Sequence, residues 1–136
     1  MKALIFLFTF SFGLSALAQG FVANTMLNAA DASLASSTSQ GIYIAHMSNL
    51  GFVITSAGAP VGTLTIQVSS DPVAPTTSGD PAGNVVNWAS LSSPTAISSA
   101  TSAAVNLQLQ GYLWVRVVYT KTSGTGTITV NLGAKQ

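Results

Sequence analysis

The chain has 136 residues, of which 5% are charged: four Lys or Arg and three Asp, with one His, no Glu and no Cys. A typical soluble domain carries about 25% charged residues, so disulfide staples are excluded and acid–base or metal chemistry has almost no material. No basic stripe exists to displace phosphate counterions, which argues against a nucleic-acid partner.

Lys2 is followed by an apolar run from Ala3 to Leu14 and then by the small-residue stretch Ala16-Leu17-Ala18. This charged, apolar, small order is that of a secretory signal peptide, with cleavage expected after Ala18. The run is too short for a bilayer, which needs about 20 apolar residues, so no membrane span is expected in the mature chain. Residues 19–136 are expected to form a single domain, exported to the periplasm, the cell surface or the medium. Its three cations, Arg116, Lys121 and Lys135, balance Asp31, Asp71 and Asp80. A neutral Ser/Thr-rich surface repels its neighbours weakly and favours association.

Along the mature chain, apolar residues recur with period two, and no window shows a capped helical stripe. The Ala-rich segment 24–39 is ambiguous, although Asp31-Ala32-Ser33-Leu34 alternates as an edge strand does. Gly41 to His46 and Leu50 to Ser56 are rich in β-branched and aromatic residues and read as a strand pair joined near Ser48-Asn49. Thr63 to Ser69 alternates most cleanly, with Leu64, Ile66 and Val68 facing a core and Thr63, Thr65 and Gln67 facing water. Residues 71–84 hold three prolines and two glycines and form the one long loop. A short strand is expected at Thr95–Ser98. Beyond it, Val105, Leu107 and Leu109 alternate with Asn106 and Gln108.

Tyr112 to Tyr119 is apolar on both sides, as expected for a central strand covered on both faces. After it, Lys121 to Gly126 carries two glycines that tolerate positive φ, and it reads as a hairpin turn into a last strand with Ile128, Val130 and Leu132 inward. The fold class expected from this pattern is all-β: a two-sheet antiparallel β-sandwich or jelly roll of about eight short strands after the cleaved signal. The same alternation also suits a small outer-membrane barrel. However, the outward Thr, Gln and Asn residues supply no lipid-facing apolar band.

Candidate chemistry is sparse. His46 is the lone histidine, and no Gly-x-Ser-x-Gly elbow accompanies it, so no catalytic residue and no enzyme activity are expected. Asp71 and Asp80 lie on the long loop, where carboxylates suit Ca²⁺, but two carboxylates without a recognisable loop motif fall short of a usual site. No metal and no cofactor are expected. Trp88 and Asn87, beside that loop with Asp71 and Asp80, are the candidate ligand-binding residues, since exposed aromatic rings suit sugars. Tyr112, Trp114 and Arg116 form an expected structural cluster. Trp114 and Arg116 share one strand face, which brings the guanidinium toward the indole or Tyr112.

Four motifs succeed one another: Val61-Gly62-Thr63-Leu64 through Ser69-Ser70-Asp71, then Asn87-Trp88, then Gly111-Tyr112-Leu113-Trp114-Val115-Arg116, then Ser123-Gly124-Thr125-Gly126-Thr127. In order and spacing the segment from Asp31 to Lys135 resembles a small β-sandwich module of bacteriophage virion proteins and of bacterial fibre or adhesin-like surface proteins. The resemblance implies a structural or attachment role and supplies no catalytic residue. Virion parts assemble without an export signal, so the signal shifts the expectation toward a surface or extracellular component. The expected function is therefore an exported structural or attachment module that self-associates into a homo-oligomer or docks on a larger cell-surface or virion-like assembly. The alternative is a carbohydrate-binding module that takes a glycan at Trp88 and the 71–84 loop.

Overall fold

A computed structural model describes residues 21–73, 85–99, 102–108 and 111–136 of the chain. Among them are ten strands and no helix: β1 (Phe21–Asp31), β2 (Ser36–Thr38), β3 (Ile42–Tyr43), β4 (Asn49–Gly58), β5 (Val61–Ser69), β6 (Ala89–Ser90), β7 (Thr95–Ser98), β8 (Ser102–Gln108), β9 (Trp114–Ser123) and β10 (Gly126–Lys135). The expected signal segment, Leu109 and Asp80 lie outside the described residues.

The strands build two antiparallel sheets. The first runs β1-β10-β4-β8; the second runs β2-β9-β5-β6, with β3 also on β9 and β7 also on β5. The inward set is the one that the alternation marks. Leu64, Ile66 and Val68 of β5 face Phe52, Ile54, Ile128 and Val130 of the other sheet within one buried cluster. Each such side chain contributes about 1.5–3 kcal/mol by leaving water. Gly62 is an inward position with no side chain of its own. A Cβ there would lie 2.6 Å from the ring of Tyr119 and 2.3 Å from the Thr120 carbonyl. The glycine thus makes room for Tyr119, whose hydroxyl donates to the Val61 carbonyl at 3.2 Å.

Three local expectations are corrected. β9 and β10 are not a hairpin. β9 pairs with β5 in one sheet and β10 with β4 in the other, so Gly124-Thr125 is an arch that carries the chain from sheet to sheet. A second arch at Ala59-Pro60 joins β4 to β5, and the Ala59 N–H donates to the Thr125 carbonyl at 2.9 Å, binding the two arches together. Positive φ at Gly124 serves an arch as well as a hairpin, and only the partners of the flanking strands distinguish the two.

Likewise, Gly41–His46 and Leu50–Ser56 do not pair: β3 joins β9 and β4 joins β10 and β8. The segment between them crosses sheets through a turn closed by the Met47 N–H on the Ile44 carbonyl at 2.9 Å, with His46 at φ 73°. Finally, Asp31–Leu34 is a turn rather than an edge strand. The Asp31 carboxylate accepts the Ser33 N–H at 2.8 Å and stops β1, which itself supplies the edge.

Candidate functional site

The arches occupy one end of the sandwich, where the β1–β2 turn and the end of β7 also meet them; a second group of connections meets at the other end. There the segments 44–48, 69–73, 85–88 and 111–113 gather around the last residues of β5 and the first of β9. This end holds Asp71, Asn87, Trp88, Arg116 and His46.

Asp71 organises the loop. Its Oδ2 accepts the backbone N–H groups of Val86 and Asn87, both at 2.9 Å, and its Oδ1 accepts the Asn87 side-chain amide at 2.8 Å. Its own N–H donates to Ser69 Oγ at 3.1 Å. The carboxylate therefore ties the two described ends of the long loop together. These donors, Asn87 first, hold the Asp71 carboxyl below the ordinary aspartate range. Both oxygens face N–H donors, an environment opposite to the oxygen cage that a calcium ion requires.

The clasp delivers Trp88 to the outer face of the β9 sheet. Its indole N–H donates to the Val85 carbonyl at 2.9 Å, and the Arg116 guanidinium lies 4.3 Å from the centre of its ring. Arg116 is held from the other side by Gln67, whose Oε1 accepts Nε–H at 2.8 Å; the two residues stand opposite each other in the β5–β9 register. The guanidinium expected against Trp114 or Tyr112 is thus stacked on Trp88, a residue the fold brings from 28 positions away.

Trp114 is fully buried on the same outer face, in a small second core with Val85 that Val73, Trp88 and Leu113 border. Tyr43 meets it edge to face at 5.1 Å, while its indole N–H has no acceptor among the described residues. The expected cluster of Tyr112, Trp114 and Arg116 is divided: Tyr112 packs on the main core instead. Tyr112 also borders a depression of about 390 Å³ beside His46. His46 is exposed at the rim of this depression.

The structure joins Asp71, Asn87 and Trp88 and adds Gln67, Val85 and Tyr43. Gln67 and Tyr43 sit on strand positions that alternation marks as outward, but nothing in the sequence shows what they face. Among the described residues, no three His, Asp, Glu or Cys side chains gather into a group that could hold a metal ion. Among the described residues, no helix is long and apolar enough to cross a membrane.

The fold and this site define a two-sheet antiparallel sandwich with the two arches at one end and the Asp71 clasp and the Trp88–Arg116 stack at the other. Comparison with protein-family models and with curated proteins finds no match.

Proposed function

We propose that the protein is an exported structural or attachment module, which works by contact with copies of itself or with a larger surface or virion-like assembly and catalyses no reaction. The supporting observation is the state of its sheet edges. β1 is broken by two register shifts. β2 and β3 are short pieces separated by a gap, which Ser39 bridges by accepting the Val117 N–H on its Oγ. β6 and β7 are two and four residues long. All three edges carry the usual protections against pairing with another chain.

β8 has none of them. Its seven residues keep unbroken register with β4 from Ser102 to Gln108, contain no charge and no proline, and have no strand on the other side among the described residues. Such an edge is a template for one more strand. The neutral mature chain adds no long-range repulsion to oppose it.

Mass photometry and gel filtration of the purified protein test this. A dimer or larger species is expected, and Ala104→Lys, which places a charge on an exposed position of β8, is expected to shift it to monomer. A wild-type monomer that also captures no envelope component would refute the reading.

A further inference from the structure

We infer that the outer face of the β1-β10-β4-β8 sheet carries a binding groove for a short neutral saccharide, separate from Trp88. This goes beyond the assembly reading and stands without it.

The groove follows from register. Lys135, Asn49 and Gln108 stand side by side on β10, β4 and β8, and the next outward row is Gly133, Gly51 and Asn106. Leu50 and Ala134 between these rows are buried, so by alternation all six residues face outward. Two glycines side by side leave the sheet backbone bare, and a depression of about 600 Å³ opens over it. The Asn106 amide leans across this floor: a Cβ on Gly51 would lie 3.1 Å from its Oδ1. On the far side the following row carries Val53, which is 48% exposed.

The chemistry of the lining selects the ligand class. Asn and Gln amides donate and accept at once, as a hydroxyl does, and pair with neighbouring hydroxyls in both directions. Asn49 gives its Nδ2 to Ser48 Oγ at 3.0 Å, which leaves Oδ1 as an acceptor. Asn106, Gln108 and Lys135 make no side-chain hydrogen bond among the described residues. One lysine is too little charge to hold a polyanion, and the lining of the groove contains no aromatic side chain to enclose an apolar ligand.

The groove crosses the strands, so its polar groups repeat at the strand spacing of about 4.8 Å, close to the length of one pyranose ring. A chain of two or three rings therefore meets one amide or ammonium per ring, with its C–H faces on the glycine floor and Val53. An extended peptide would instead run along a strand and seek an edge.

Isothermal titration of the purified protein with cellotetraose, chitotetraose, xylotetraose and maltotetraose, beside an oligogalacturonate, tests the groove. At least one neutral tetrasaccharide is expected to bind, and its amide-proton perturbations should centre on Gly51 and Gly133. Asn106→Ala and Gln108→Ala are each expected to weaken it by about tenfold, the effect of losing one hydrogen bond of about 1.4 kcal/mol. Lys135→Ala, on β10 and so independent of the β8 edge, is likewise expected to weaken binding, and Trp88→Ala is expected to leave affinity unchanged. No binding by any neutral sugar, binding of the galacturonate alone, perturbation centred on the Trp88 indole, or wild-type affinity in the Asn106→Ala/Gln108→Ala double variant would overturn the assignment. Mass photometry of the same samples keeps this result distinct from the assembly state.

Discussion

The Asp71 carboxylate accepts three N–H donors from residues 15 and 16 positions away, and this half-buried acid does what a disulfide would do in a chain that had cysteines. Because these bonds favour the ionised form, the folded carboxyl titrates below an ordinary aspartate. The sign follows: the clasp is intact above the unfolded value, and its contribution is lost as pH falls through the lower folded one. In an NMR titration the Val86 and Asn87 amide signals are expected to move together, with a midpoint below that of an unconstrained aspartate. In Asp71→Asn that transition should vanish. A midpoint at or above the ordinary value would show that the clasp does not hold in solution. Nothing in Asp-Pro identifies this role, since the same dipeptide starts any turn; the distant donors are visible only in three dimensions.

At the scale of elements, the two arches decide the topology. Gly124 has φ 76°, and a Cβ there would fall 1.9 Å from the Ala59 carbonyl oxygen of the neighbouring arch. Gly124→Ala is therefore expected to destabilise the fold by about 1–3 kcal/mol, read from urea denaturation. A substitution without effect would mean that the arches are not in contact. The strand that follows, β10, is central because β1 and β4 flank it on both sides. Its apolar set, Ile128, Val130 and Leu132, was plain from alternation, but its sheet was not. β8 shows the same division. Its period-two pattern placed Asn106 and Gln108 in water, whereas their alignment with Asn49, Gly51, Gly133 and Lys135 depends on pairing with strands far away in sequence.

For the whole molecule, one core between the sheets carries the stability, and the Trp114 cluster outside the second sheet is a satellite. Phe52 is 1% exposed at the centre of that core. Phe52→Ala is expected to cost about 3–5 kcal/mol, a large share of the roughly 5–15 kcal/mol that a domain of this kind has. Thermal melting by circular dichroism should show a collapse in the midpoint. A mild effect would place the core elsewhere.

By itself the sequence determined the all-β class, the inward residues of β5 and β10, the position of β7 and the central place of β9, because burial on alternate positions is a local property that each strand declares. The tertiary structure alone decided which strands pair, that the Gly124 turn is an arch, that Arg116 stacks on Trp88 and that two glycines meet to floor a groove. These depend on register between distant segments. Register is set by how two apolar faces fill the space between them, and no stretch of chain contains that information alone.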